Sequence, residues 1–182
     1  MKLVILDRDG VINEDSDEFV KSPDEWHPIP GSLEAIAQLN QSGYRVVVAT
    51  NQSGIGRELF DMQALNATHA KMHRALASVG GHIDAIFLCP HTSEDQCDCR
   101  KPKPGLLRQI ADRFGIDLAG TPVVGDSKRD LEAGAALGCK VILVRTGKGV
   151  KTLERENLPE HTPVFADLAA VVDHLVSQNP ET

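Results

Sequence analysis

Three short runs of this chain are apolar without polar alternation, and each ends abruptly in side chains that can do chemistry. Leu3-Val4-Ile5-Leu6 stops at Asp7-Arg8-Asp9-Gly10, Arg45-Val46-Val47-Val48-Ala49 at Thr50-Asn51-Gln52-Ser53-Gly54, and Pro122-Val123-Val124-Gly125 at Asp126-Ser127-Lys128-Arg129-Asp130. Runs of this kind suit strands covered on both faces, as in a parallel sheet. Ligands of open α/β sheets bind at the carboxyl ends of the strands, so the three polar clusters are expected along one edge. There Asp7 and Asp9, two positions apart, can divide labour between a metal-ligating nucleophile and a proton carrier. The hydroxyl and amide donors of 50–53 suit phosphate oxygens, and Asp126 and Asp130 bring further carboxylates. Between the second and third clusters, Arg100-Lys101-Pro102-Lys103-Pro104-Gly105 sets cations on a proline-stiffened loop, able to fix positive charge beside a phosphoryl group.

The intervening sequence alternates between helical and strand patterns. Ser32 is placed to cap a helix over 33–41, and Asp61 a longer one over 62–79 stopped by Gly80-Gly81. Pro104 begins a helix that ends at Gly115, and further helices are expected over 128–137 and 167–176. Strands are expected at 85–88, 140–144 and 164–165, which makes a parallel sheet with helices on both faces. No linker, repeat or low-complexity tract interrupts the 182 residues, so a single domain over 1–182 is expected. The polar segment 15–30, with the only tryptophan, reads as a flap leaving the first strand. Trp26 and His27 either line an entrance there or pack.

Three of the four cysteines cluster. Cys89, His91, Cys97 and Cys99 fall within eleven residues, and three thiols with one imidazole make a standard tetrahedral zinc set. The spacing is tighter than that of the usual two-residue knuckle, so a compact zinc loop over 89–99 is expected rather than a free-standing finger. Cys139, after a glycine and before an apolar run, reads as a small buried hydrophobe. No apolar leader precedes the first strand, which favours metal over disulfide and a cytoplasmic location.

Composition narrows the partners. The formal charge of -7 disfavours nucleic acid and acidic membrane surfaces, and 4% aromatic residues give little material for stacking bases. No apolar stretch approaches the roughly 20 residues of a membrane-spanning helix. A monomer acting on a small phosphorylated molecule is expected.

The ordered set formed by Asp7 with Asp9, Thr50, Lys101, and Asp126 with Asp130 resembles the four motifs of the haloacid dehalogenase superfamily of aspartate-nucleophile phosphatases. The longer strings DRDGVIN, TNQSGIGR and CDCRKPKPG are similar to its branch of D-glycero-D-manno-heptose 1,7-bisphosphate 7-phosphatases and histidinol-phosphate phosphatases. The resemblance implies a Rossmann-like three-layer sandwich with a mainly parallel sheet and no large cap domain, the site being shielded by short loops. It implies Mg2+ held by Asp7, Asp126 and the backbone carbonyl of Asp9. It implies attack by Asp7 on phosphorus and proton exchange by Asp9, whose pKa crowding by carboxylates is expected to raise. Thr50 and Asn51 would hold phosphoryl oxygens, Lys101 would bridge nucleophile and phosphate, and Asp130 would orient Lys101 or the metal shell.

Arg8, Asp15, Gln52, Ser53, Arg57 and Arg100 complete the candidate substrate contacts, and Lys148 is a further cation at the same edge. A heptose bisphosphate calls for a second cationic cluster. Histidinol phosphate would instead favour carboxylates such as Asp15, Asp17 and Glu18, and an inactive zinc-containing interaction module is the reading from another class. His69 and His73, four apart, read as a solvated helix face.

Overall fold

The computed structural model describes residues 1–178 of the chain. Its centre is a six-stranded parallel sheet in the order β3-β2-β1-β4-β5-β6. The strands are β1 (Lys2–Leu6), β2 (Tyr44–Asn51), β3 (Ala85–Cys89), β4 (Pro122–Gly125), β5 (Lys140–Val144) and β6 (Val164–Phe165). The helices are α1 (Ser32–Gln41), α2 (Ser53–Gly56), α3 (Met62–Ser78), α4 (Gly105–Phe114), α5 (Lys128–Ala135), α6 (Gly149–Arg155) and α7 (Leu168–Ser177). From β1 the chain first builds outward through β2 and β3, then returns to place β4 on the other side of β1. The order reverses between β1 and β4, where α/β sheets open a crevice for ligands.

The unalternated runs are buried on both faces, as their composition demands. Val4 and Leu6 of β1, with Val46 and Val48 of β2, meet α1, α3 and α7 on one side. Leu3 and Ile5, with Val47 and Ala49, meet α4 and α5 on the other. The side-chain period of two therefore divides each run between two cores. Pairing is in register from Lys2 opposite Tyr44 to Leu6 opposite Val48, and Leu6 lies opposite Val124. Continuing that register, Asp7 falls level with Ala49 and Gly125, with Asn51 and Asp126 just beyond it at the same sheet edge.

Several expectations are revised. Gly31, at φ +86°, caps α1, while Ser32 lies inside the helix and its hydroxyl donates to the Val11 carbonyl at 2.8 Å. The expected helix over 128–137 ends at Ala135, and the glycine-bearing turns α2 and α6 carry too weak a helical pattern to be anticipated. Asp61 caps α3 as expected, its carboxylate accepting from the backbone of Ala64 at 2.8 Å. Trp26 packs rather than lining an entrance: it is fully buried, and Lys71 donates to the Pro23 and Trp26 carbonyls at 2.7 and 2.9 Å, fastening the flap to α3. Cys139 is only half-buried, packed against the core that contains Ile5.

The flap lines the crevice through Asp15, Ser16, Asp17, Phe19 and Val20, and the loop bearing Cys89, His91, Cys97 and Cys99 leads into its Arg100 and Lys101, with no large cap domain among the described residues. No described helix is long and apolar enough to cross a membrane. Ile5→Ala, which empties a fully enclosed site in the central strand, should cost about 2–5 kcal/mol of stability, measured by urea unfolding.

Candidate active site and metal centre

The carboxyl ends of β1, β2 and β4 border a cavity of about 280 Å³ lined by Asp7, Asp9, Asp15, Asn51, Gln52, Ser53, Arg57, Arg100, Lys101, Asp126, Arg129, Asp130 and Lys148, with part of the flap. Close backbone packing forms its floor. Gly10 (φ +83°) and Gly147 (φ +57°) approach one another so tightly that a Cβ on either would run into the Asp126 carboxylate. Thr146 donates to the Gly10 carbonyl at 2.7 Å, and the Lys148 backbone donates to Asp126 Oδ2 at 2.8 Å. The glycine that follows Asp9 is therefore required by the approach of Asp126 as well as by the turn.

Lys101 is the buried hub. Its ammonium donates to Asp7 Oδ1 at 3.1 Å, Asp130 Oδ1 at 2.6 Å and the Ala49 carbonyl at 2.6 Å, which uses all three of its protons. Burial opposes that charge, but the two carboxylates outweigh it and raise the lysine pKa. Asn51 clamps the same residue from its backbone: Oδ1 accepts from the Lys101 N–H at 3.0 Å and Nδ2 donates to its carbonyl at 3.1 Å. Asp130 also caps α5, taking the Ser127 N–H at 3.1 Å and hydroxyl at 2.9 Å on Oδ2. Both of its oxygens are thereby committed.

Asp7, Asp126 and Asp130 bring carboxylate oxygens within 4.8 Å of one another. Burial, then Asp130, raises the pKa of Asp7 to about 7 against the pull of Lys101, and burial, then Asp130 and Asp7, raises that of Asp126 to about 8. Desolvated hard oxygens that resist sharing negative charge fit a divalent cation, and Asp7 and Asp126 are the two not consumed elsewhere.

Asp9 departs from expectation. Burial pushes its pKa up, but the Arg8 guanidinium and hydrogen bonds from Asn13, Arg8 and Gln52 more than offset this and hold it below the usual value. Crowding by carboxylates does not govern it, because its side chain turns away from them. Oδ1 accepts from Arg8 Nε and Nη2 at 3.2 and 2.7 Å and from Asn13 at 2.9 Å, and Oδ2 accepts from Gln52 at 2.9 Å.

Two other candidates do not line the cavity. Arg8 is fully buried and does not line the cavity, since its charge is spent on Asp9. Thr50 is likewise fully buried, beneath the cavity wall, with its hydroxyl accepting from Gln52 Nε2 at 2.9 Å. His69 is not on a solvated face: it is buried against Arg8. Arg129 lines the cavity although sequence reasoning passed over it; its position two residues after the Asp126-Ser127 turn was the available signal.

In the loop after β3, Cys89 Sγ lies 3.6 Å from His91 Nδ1, 3.6 Å from Cys97 Sγ and 2.9 Å from Cys99 Sγ, with Cys99 3.4 Å from His91. A tetrahedral zinc with thiolates near 2.3 Å separates neighbouring sulfurs by about 3.8 Å, so the four donors fit that ion after slight expansion. All four cysteines of the chain are free. Burial and the neighbouring sulfurs push the Cys89 thiol up to about 12, while hydrogen bonds from the Arg100 backbone and the neighbouring cysteines overcome desolvation and lower Cys97 to about 6.

The family model of HAD-hydrolase-like proteins matches residues 98–171. A D-glycero-beta-D-manno-heptose-1,7-bisphosphate 7-phosphatase of Bordetella bronchiseptica is 62% identical over 98% of this chain and 99% of its own. The chain belongs to the heptose bisphosphatase branch of the haloacid dehalogenase superfamily. The phosphatase of that name from Pseudomonas aeruginosa is 56% identical over 96% of this chain and 97% of its own. A crystal structure of the B. bronchiseptica heptose bisphosphate phosphatase, complexed with magnesium and phosphate, superposes with a TM-score of 0.96 over 98% of this chain and 99% of that one.

For this heptose bisphosphatase relative, the purified protein should carry about one zinc per chain by metal analysis. Cys97→Ser should lose it and, by loosening the loop that leads into Arg100 and Lys101, lower both thermal stability and turnover.

Proposed function

We propose that this chain removes the 7-phosphate of D-glycero-beta-D-manno-heptose 1,7-bisphosphate in nucleotide-heptose and lipopolysaccharide precursor synthesis, through an aspartyl-phosphate on Asp7. The observation that carries the reading is the buried Asp7–Lys101–Asp130 cluster beside Asp126, in a chain 62% identical to a phosphatase of that name. Mg2+ is the cofactor, held by Asp7, Asp126 and the Asp9 backbone carbonyl, and it neutralises phosphoryl charge so that a carboxylate can approach.

Asp7 attacks phosphorus as the bond to the sugar oxygen breaks, and Asp9 delivers its proton to that oxygen. The bound dianion raises the proton affinity of Asp9, opposing Arg8. Asp9 then takes a proton from water, whose oxygen attacks the aspartyl-phosphate, freeing inorganic phosphate and the Asp7 carboxylate. Lys101, fixed by Asp130 and by Asn51, keeps positive charge on Asp7 throughout. Ser53 lines the same wall, and zinc on Cys89, His91, Cys97 and Cys99 braces the loop that ends in Arg100 and Lys101.

Beyond the reacting centre, Arg57, Arg100 and Arg129 line one cavity, and none forms an ion pair among the described residues. Burial and then the charges of Arg129 and Arg57 lower the pKa of Arg100, so Arg100 feels the repulsion of both other guanidiniums. Such a cluster suits a second phosphate. Opposite them Asp15 is balanced by Lys148 at 3.3 Å, and Asp17 is the flap carboxylate of the lining without an ion pair among the described residues. Three guanidiniums thus outnumber one unbalanced flap carboxylate, which favours a second anion over the cationic histidinol phosphate. We further read residues 1–182 as one catalytic domain, of which the last four lie outside the described residues, acting as a cytoplasmic monomer on a small phosphorylated sugar.

Asp7→Asn should abolish phosphate release while the protein stays folded by circular dichroism; near-wild-type turnover would refute the covalent route. Arg129→Ala and Arg57→Ala should each lower kcat/KM for the heptose bisphosphate about tenfold or more. A monophosphate lacking the second anion should be little affected, and equal effects on the two substrates would exclude the arginines from the second phosphate.

A further inference from the structure

Arg8 is fully buried, yet it has only one carboxylate partner. Its Nε and Nη2 both address Asp9 Oδ1, and its remaining terminal nitrogen, Nη1, lies 3.2 Å from His69 Nε2 on α3. A guanidinium is a rigid planar fork, so contacts at one edge leave it free to pivot unless the other edge is also held. His69 supplies that hold from a helix 61 residues further along the chain.

The imidazole is suited to the task. It is 7% exposed, and burial followed by the Arg8 charge lowers its pKa to about 4. It is therefore neutral at physiological pH. Because Arg8 can only donate, Nε2 must be the accepting nitrogen and the ring proton sits on Nδ1. Packing alone would be served as well by an apolar side chain, whereas an apolar neighbour would leave a buried guanidinium proton unpaired.

We propose that His69 is a positioning residue for catalysis, accepting a hydrogen bond from Arg8 and through it fixing the orientation of the Asp9 carboxyl group at the phosphoryl site. The inference rests on the reading of Asp9 as the group that exchanges a proton with the leaving oxygen. Asn13 and Gln52 hold the Asp9 oxygens from other directions, Gln52 tying Oδ2 to Thr50 of β2, and Arg8 is the contact that ties Oδ1 to α3. A carboxyl group that turns with a loosened Arg8 misaligns proton transfer without altering how phosphate or metal binds. Misplacement on the order of 1 Å can cost a reaction about 100-fold.

The experiment compares His69→Gln with His69→Asn. Glutamine can carry an acceptor to the position of Nε2, and asparagine reaches only that of Nδ1. Each variant and Asp9→Asn are assayed on the heptose bisphosphate, an alkyl leaving group that needs protonation, and on 4-nitrophenyl phosphate, which scarcely does. His69→Gln should stay within about threefold of wild type on both substrates. His69→Asn should lose about tenfold or more in kcat on the alkyl substrate, less than about threefold on the aryl one, with KM little changed. Equal losses on the two substrates, or equal behaviour of Gln and Asn, would overturn the inference. If Asp9→Asn itself fails to distinguish the substrates, the reading of Asp9 falls instead, and the inference with it. Should His69→Asn not fold, Arg8→Lys, which keeps the charge but loses the fork, takes its place: a selective loss on the alkyl substrate supports the proposal and an equal loss refutes it.

Discussion

Much of this molecule is organised around the ammonium group of Lys101. It is almost wholly removed from water, and it touches the end of β1 through Asp7, the end of β2 through the Ala49 carbonyl, and the start of α5 through Asp130. A charge in that position is tolerable only when every proton is bonded and opposite charge is close. Breaking such an arrangement by removing one partner costs about 3–5 kcal/mol, because the other is left buried and uncompensated. The same bonds draw three strand and helix ends together. What makes the lysine stable also makes the site.

The surroundings follow from that constraint. Asn51 is aimed at the Lys101 backbone because the lysine has to arrive along a loop that carries a single 3-10 turn, Ser93–Asp95, and no longer element. That loop begins at the Cys89, His91, Cys97 and Cys99 cluster, so a bound zinc would fix its root while Asn51 and the buried ammonium fix its end. Three nearby carboxylates then exceed what one lysine neutralises. The excess appears in the raised proton affinities of Asp7 and Asp126, and it is the electrostatic reason for a divalent cation between them.

Asp7 and Asp9 show how two residues of one short motif come to differ. Both are enclosed, but Asp7 faces other carboxylates whereas Asp9 faces Arg8, Asn13 and Gln52, so their proton affinities move in opposite directions. For the proposed roles, an ionised nucleophile at Asp7 and a protonated acid at Asp9, both shifts have to be reversed, by a cation beside Asp7 and by the phosphoryl dianion beside Asp9. The cavity beyond them continues the division: Lys148 neutralises Asp15 at the flap, while Arg57, Arg100 and Arg129 remain available for a second anion.

Local chemistry written into the sequence decided the strands, the longer helices, the shared sheet edge and which side-chain clusters could hold a metal ion. An unalternated apolar run can only be satisfied by burial on both faces, and cysteines and a histidine spaced within one loop need no distant partner to be recognised. Ser32 shows where local reasoning reaches its limit. It has the right chemistry for a cap, but the Val11 carbonyl, 21 residues away, draws its hydroxyl into the core. The same limit applies to Arg8, Thr50 and His69. Whether Arg8 meets substrate or Asp9, whether the Thr50 hydroxyl faces the cavity or Gln52, and whether His69 meets water or a guanidinium depend on packing between elements far apart in the chain. Residue type sets which bonds a side chain can make, and only the tertiary structure, by deciding which partners are near and which water is excluded, selects the bond that forms.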